Sequence, residues 1–439
     1  MLSISEGANK NYLAKVIKLK GVRKHPNADK LQVVTVDFQD VIVGENAQDG
    51  DVCIYFPVEC QINADFLKYT NSFSSQLLNR DTTLKGYFDK NGRVRAVRLR
   101  GQKSFGYIVD ADTLLNWSYY SGSYPSPSAY FFDDFIGTEF DTIGEALVCK
   151  KYVVPTKGSS SRSLGKKPKV SRLIDGQVHL HVDTENLRKE AYRISPDDYI
   201  SVTYKTHGTS WWVSHVLVKK KLNFLMRLLR FFFPIEDTTY DLVYGSRKVV
   251  KNADLDDPKR KDHFYEYDIW EEIKEELKDC IPKGYTLYGE ALGFTKSGAF
   301  IQEGYDYGCE QGKKRIQIYR ITFTNPDGIV SNLSTHQMQE FCKKFGLEYV
   351  HTYYVGKAKD LFPDIDVENH WNEEFVKRLE QTYTDSDCFM CKNVVPEEGI
   401  VVRRENLSEF EAFKLKSSRF LEWETQMLDK EIADIESQN

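Results

Sequence analysis

The chain has 439 residues, 41% hydrophobic and 13% aromatic, which excludes the apolar-poor composition of a disordered protein and exceeds the length of one typical domain. A formal net charge of −5 excludes a uniformly basic protein that coats nucleic acid regardless of sequence, because phosphate neutralisation needs an excess or clustering of Lys and Arg. Eight cysteines lie scattered without the dense spacing of a disulfide framework, and MLSISEGANKNYLAK carries no apolar signal region, so an intracellular setting is expected, cytoplasmic or nuclear.

From Leu13 to about Val109, short β-rich runs such as AKVIKLKGV, KLQVVTVDF, DVIVGEN, GDVCIYFPV and FGYIVD are punctuated by Gly, Asn and Asp at hairpin-like intervals. They predict a small barrel or sandwich. Within them, His25-Pro26-Asn27-Ala28-Asp29-Lys30-Leu31 resembles the signature of OB-type tRNA-binding modules attached to some aminoacyl-tRNA synthetases, and OB barrels often present a sheet face to nucleic acid. Residues 1–150 are therefore expected to form an OB-type nucleic-acid-binding domain. The following KYVVPTKGSSSRSLGKKPK is rich in Ser, Gly, Lys and Pro without a hydrophobic period and marks residues 151–175 as a linker. It is not a P-loop: six residues separate Gly158 from Gly165, and Lys167 stands where Ser or Thr is needed.

Residues 176–439 are expected to form a second, mixed domain. Strand-like DYISVTYK, YTLYGEAL, RIQIYRITF and GIVVRR alternate with helix-like YDIWEEIKEELKDC, THQMQEFCKKFG and NEEFVKRLEQTY. The apolar stretch Leu222 to Phe233 is too short to span a membrane and carries Arg227 and Arg230, so a packed or surface helix stopped by Pro234 is expected, and no membrane partner. The tail after Phe410 reads as a helix with apolar residues at Phe413, Phe420, Leu421, Met427 and Leu428. Basic runs at Lys166, Lys167 and Lys169, at Lys219 to Lys221 and at Lys313 to Arg315 read as solvated faces, and Cys388-Phe389-Met390-Cys391 as ordinary half-buried cysteines, since a structural zinc site needs a second pair of ligands.

Chemistry concentrates at Lys205-Thr206-His207-Gly208, which ends DYISVTYK. A neutral lysine is a competent nucleophile toward phosphorus, but one with an ordinary pKa of ~10.4 is only ~0.1% neutral near pH 7.4, so its site must lower that pKa by ~3 units, roughly 4 kcal/mol. The same Lys-x-x-Gly spacing recurs at Lys18, Lys103 and Lys343. Only Lys205 is followed in order by Tyr244-Gly245-Ser246-Arg247, Leu287-Tyr288-Gly289-Glu290, Ile318-Tyr319-Arg320-Ile321, Glu397-Glu398-Gly399-Ile400-Val401-Val402-Arg403 and Phe413-Lys414-Leu415-Lys416.

This succession resembles motifs I, Ia, III, IIIa, IV and V of the covalent nucleotidyltransferases, which comprise DNA ligases, RNA ligases and mRNA capping enzymes. The His in Lys-x-His-Gly is similar to RNA ligases. Thr209-Ser210, His181-Val182-Asp183-Thr184, Leu99-Arg100-Gly101-Gln102 and the leading OB module resemble the fifth RNA ligase family, over about residues 13–420. The resemblance implies an α+β architecture, an OB-type β-barrel plus a mixed antiparallel-sheet and helix nucleotidyltransferase (ATP-grasp-like ligase) domain. It implies ATP and Mg²⁺ or Mn²⁺ as cofactors, a monomer acting on RNA with 3′-hydroxyl and 5′-phosphate ends, and nicked duplex before free strands. Lys205 would carry AMP, and His207 would act when AMP passes to RNA. Arg247 would meet the ribose and 5′-phosphate end, Glu290 the ribose hydroxyls, and Lys414 with Lys416 the α-phosphate. Glu398 would engage the metal partly through its waters. Tyr319 either stacks on adenine or packs as a core aromatic. The rival readings are a capping-type guanylyltransferase and a noncatalytic RNA-binding protein.

Overall fold

The structure is a computed structural model describing residues 2–122, 132–154, 172–220, 236–251, 265 and 267–432. The rejected P-loop segment, residues 155–171 of the expected linker and the Leu222 to Phe233 stretch lie outside the described residues. No described helix is long and apolar enough to cross a membrane. The chain divides into two compact units, Met1–Val154 with Leu421–Glu431, and Pro155–Phe420 with Ile432–Asn439.

In the first unit, β1 (Ala14–Lys18), β4 (Val52–Phe56) and β7 (Tyr107–Asp110) pair antiparallel with β4 in the middle. β2 (Leu31–Val36) and β3 (Gln39–Gly44) form a hairpin, as do β5 (Ala96–Leu99) and β6 (Gln102–Phe105). Alternate residues point inward: Ala14, Val16, Ile54 and Phe56 join Phe66, Leu114 and Trp117 of helices α1 (Ala64–Tyr69) and α2 (Ala111–Tyr120) in one core. The His25 to Asp29 turn docks on the β5–β6 tip, with the Asn27 amide donating to the Arg100 carbonyl at 2.8 Å and His25 Nε2 lying 3.2 Å from the Leu99 carbonyl.

The second unit holds two sheets. The five-stranded sheet runs Glu185–Asn186, β15 (Glu411–Lys416), β14 (Gly399–Arg404), β8 (Tyr199–Lys205), β13 (Thr352–Lys357). The six-stranded sheet runs Val249–Val250, β10 (Thr238–Ser246), β9 (Thr209–Lys219), β11 (Tyr285–Gly293), β12 (Lys314–Thr324), Val330–Asn332. Helix α3 (Ile269–Leu277) starts where the Asp268 carboxylate accepts from the Trp270 and Glu271 amides, and it buries Ile269, Trp270, Ile273 and Leu277. Helix α4 (Thr335–Phe345) starts with a Ser334/Gln337 capping box and stops at Gly346, whose φ of 63° suits a residue without Cβ. Both pack on the sheet face carrying Trp211, Val213, Leu287 and Ile321. Trp212, Val216, Val243 and Tyr288 point the other way into a second cluster, against which Tyr319 packs. Helix α5 (Trp371–Tyr383) buries Trp371, Phe375, Val376 and Leu379.

The chain's end departs from the sequence expectation twice. Glu411–Lys416 is a strand, because it completes the ladder with β14, and the helix, α6, begins only at Ser418 and runs to Asp429. Leu421–Glu431 belongs with the first unit rather than with residues 176–420. A buried cation explains this: Arg93, 1% exposed, meets Glu59 at 2.8 Å, the Thr425 carbonyl at 3.2 Å and the Asp429 carboxylate. A buried arginine needs paired charge, and the terminal helix adds the Thr425 carbonyl and the Asp429 carboxylate to the Glu59 partner from the N-terminal segment.

Candidate active site

The register of three adjacent strands builds the site. Lys205 on β8 stands opposite Gly399 on β14, and Gly399 opposite Lys416 on β15. One pleat further in, Thr203, Val401 and Lys414 form the next row on the same face. The intervening Tyr204, Ile400 and Leu415 are buried on the opposite face, which fixes which way the lysines point. Gly399 has a φ of 134°, and a Cβ there would lie 2.0 Å from the Leu415 carbonyl oxygen, so only glycine lets β14 turn in beside Lys416.

Glu398, immediately before that turn, is 3% exposed. Its Oε1 lies 2.9 Å from Lys205 Nζ and 4.0 Å from Lys416 Nζ, and its Oε2 3.6 Å from His207 Nδ1. Burial pushes the carboxyl up, but the Lys205 ammonium, the His207 hydrogen bond and the Lys416 charge outweigh it and hold Glu398 at about 2. Lys414 is half-buried; burial first, then the charges of Lys416, Lys205 and Arg247, bring its ammonium down to about 7. Arg247, on the other sheet, is thus felt at the lysine row. It is bound by the Asp183 carboxylate at 2.8 Å, and Lys248 joins the same carboxylate at 3.0 Å.

The Lys-x-x-Gly spacing has a local reason. A Cβ on Gly208 would stand 2.5 Å from the Ala291 carbonyl oxygen and 3.2 Å from Glu290 Cβ, so glycine there brings β11 and Glu290 against the lysine turn. Glu290 is 7% exposed and accepts from Ser210 Oγ at 2.7 Å. His207 is 4% exposed: its ring meets Tyr305 and Phe420 edge-on, each at 5.0 Å, and its backbone N–H donates to the Tyr307 hydroxyl at 2.6 Å. The Gln302 amide donates to the Gly208 carbonyl at 2.7 Å. Gln302, Tyr305 and Tyr307 come from the connection after β11, which no motif marks; the buried aromatic pair Tyr305 and Tyr307 in a polar loop was the signal available.

The sequence-selected residues do not all converge. Lys205, His207, Glu398 and Lys416 form one contact cluster, with Lys414 and Arg247 in its field. Tyr319 occupies the bulge where β11 and β12 change register between Tyr288 and Gly289, and its hydroxyl lies 2.9 Å from His181 Nδ1. Among the described residues no group of three or more His, Cys, Asp or Glu is placed to hold a metal by itself. Cys388 and Cys391 flank a turn in which the Cys391 amide donates to the Cys388 carbonyl at 3.1 Å.

A family described as an OB-fold domain matches residues 13–111. The chain is similar in structure to the RNA ligase of Naegleria gruberi. A mutant of that protein with ATP and Mn superposes with a TM-score of 0.56 at 16% identity, covering 96% of this chain and 99% of that one. The chain folds like an RNA ligase. The form of that ligase with PPi gives a TM-score of 0.54 at 16% identity over 95% and 99% of the two chains, and a mutant with AMP and Mn gives 0.55 at 16% over 94% and 98%. No curated protein matches the sequence.

Proposed function

We propose that this chain is an ATP-dependent RNA ligase that joins 3′-hydroxyl and 5′-phosphate RNA ends, nicks in duplex RNA foremost, through an AMP carried on Lys205. The observation that carries the reading is the row of Lys205, Gly399 and Lys416 with Glu398 and His207 in contact: a nucleophile, phosphate-binding cations and one buried carboxylate on a single sheet face. The ATP-, AMP- and pyrophosphate-bound forms of the structurally similar Naegleria ligase support it.

Lys205 Nζ would attack the α-phosphorus of ATP as the bond to pyrophosphate breaks. AMP then passes to the RNA 5′-phosphate, and the 3′-hydroxyl displaces AMP. Lys414 and Lys416 face the same side as Lys205 and are placed to offset charge developing on phosphorus, the main protein contribution in phosphoryl transfer. The donor set fits a hydrated divalent cation: Glu398 offers a buried carboxylate in contact with the lysine, and Mg²⁺ commonly binds through one or two carboxylates with waters and substrate phosphates. Held by Glu398, such a cation would supply positive charge that favours the neutral amine. His207, held at both backbone and ring, would act in transfer to RNA, Glu290 and Arg247 would meet the nucleotide's ribose and the RNA end, and Tyr319 would either stack on adenine or serve as the core aromatic its packing against the second cluster suggests.

Incubating the full chain with α-labelled ATP or GTP and Mg²⁺ tests the reading. An AMP adduct that survives denaturation and alkali but is released by hot acid, as a lysine phosphoramidate is, and that maps to Lys205 is expected. Preferential labelling by GTP would instead indicate a capping-type guanylyltransferase, and no adduct with either would leave a noncatalytic RNA-binding protein.

A further inference from the structure

Two features that the lysine site does not use, the basic run at Lys313 to Arg315 and the Cys388 to Cys391 turn, meet in space. Arg315, Phe389 and Met390 line a cavity of about 500 Å³, with Gln317, Gln339 and His351 among the other walls. The volume is that of an ordinary small-molecule site, ~300–1,000 Å³. One wall is the Glu348 to His351 stretch, which ties the two sheets together: the Ile318 N–H donates to the Glu348 carbonyl at 3.0 Å, and the Tyr204 N–H to the His351 carbonyl at 2.8 Å.

Its lining suits a planar, polar-edged ligand. Phe389 is 60% exposed, although its ring packs edge-on against Tyr204 at 4.9 Å and His351 at 5.5 Å, so a large apolar face is left at the rim. Gln317 is 2% exposed, and its Nε2 donates to Glu348, but its Oε1 is buried without a hydrogen-bond partner among the described residues. A buried acceptor of this kind calls for an N–H donor. Arg315 at the edge is ion-paired with Glu348, which also lines the cavity, and donates to the Tyr307 carbonyl at 3.0 Å, so a phosphate there would share the guanidinium with that carboxylate. An aromatic face, an acceptor at depth and a guanidinium at the mouth match a nucleobase, its donor edge and its phosphate.

We propose that this cavity receives one unpaired ribonucleotide of the RNA substrate, with the base stacked on Phe389, a base N–H donated to Gln317 Oε1 and the phosphate toward Arg315. The proposal rests on the ligase reading and concerns RNA breaks that leave an unpaired nucleotide at an end, since a flush nick in a duplex has none. Every RNA base offers an N–H on its pairing edge, so the site selects unpaired nucleotides rather than a sequence. Phe389 packs on Tyr204, whose side chain leaves the strand of Lys205 on the face opposite the lysine row, so the cavity would hold a nucleotide behind that row and not at the reacting phosphorus.

The test uses RNA carrying 2-aminopurine placed in turn at unpaired positions beside the 5′-phosphate and 3′-hydroxyl ends, added to the full chain bearing lysyl-AMP. At one position, binding should quench the probe several-fold. Both Phe389→Ala, which removes the stacking face, and Gln339→Trp, which fills the cavity from α4, should abolish the quench and weaken RNA binding about tenfold, as loss of one stacked base does. Absence of a quench at every position, or a quench that survives in either variant, overturns the proposal. Failure of the wild type to form lysyl-AMP refutes the ligase reading instead, and is read before RNA is added.

Discussion

Replacing Glu398 by Gln keeps the shape of a 3%-exposed side chain while removing the anion between Lys205, His207 and Lys416. The folded carboxyl sits at about 2 against an ordinary 4.5, a difference worth about 3 kcal/mol at neutral pH. The sign follows from the lowered value: the contribution is fully present above about pH 4.5 and is lost as pH falls toward 2. Glu398→Gln should therefore unfold roughly 6–12 °C below wild type at pH 7, and the gap should close in acid. Because part of the loss is Lys205 left beside other cations without its partner, Lys205→Met in the same chain should restore some stability, making the pair clearly non-additive. Thermal and urea unfolding of the four proteins from pH 7 to pH 2.5 measures all three effects. Equal stability of wild type and Glu398→Gln at pH 7, or a gap that persists unchanged to pH 2.5, would refute the argument that Glu398 is the site's counter-ion.

Lys205→Ala should abolish both lysyl-AMP formation and sealing of 5′-phosphate RNA, yet retain measurable sealing of RNA supplied with a 5′-linked AMP, which gel assays of ligated product distinguish. Lys414, held at about 7 in the free protein, should be driven to the ammonium by a bound triphosphate. Binding of ATP at pH 8 should therefore take up close to one proton, seen by calorimetry in buffers of different ionisation heat, and the uptake should vanish below pH 6 and in Lys414→Met. Tyr307→Phe removes the hydroxyl that accepts from the His207 N–H, leaving a buried donor at a cost of about 1–3 kcal/mol. Single-turnover rates should show transfer of AMP to RNA slowed at least tenfold, with lysyl-AMP formation affected less.

The residues proposed to carry phosphoryl chemistry could be singled out because each sits in a short motif whose order along the chain is itself informative. Lys414 and Lys416 could be placed on one side of a strand from the intervening Leu415 alone, and the structure pairs that strand with β14. The support around them was not legible. Tyr305 and Tyr307 reach His207 across about a hundred residues, and nothing in the local pattern of either segment encodes that contact. The Tyr319 bulge is a mismatch between two strands, visible only once they are paired. Helical periodicity in the tail reveals an apolar face but not what it meets; Arg93, one partner of that helix, lies 336 residues from Asp429.

The lysine row also makes activity a late event in folding. Lys205, Gly399 and Lys416 align only when β14 pairs with both β8 and β15, and the β8–β14 ladder joins segments almost two hundred residues apart in sequence. Such pairings close last, since their loop entropy must be met before their contacts stabilise anything. A β14 slipped by a single residue would turn its own side chains to the other face and carry Glu398 away from Lys205 and Lys416. On the ligase reading, the proposed nucleophile would be assembled only in the finished molecule, and a half-folded chain would not consume ATP.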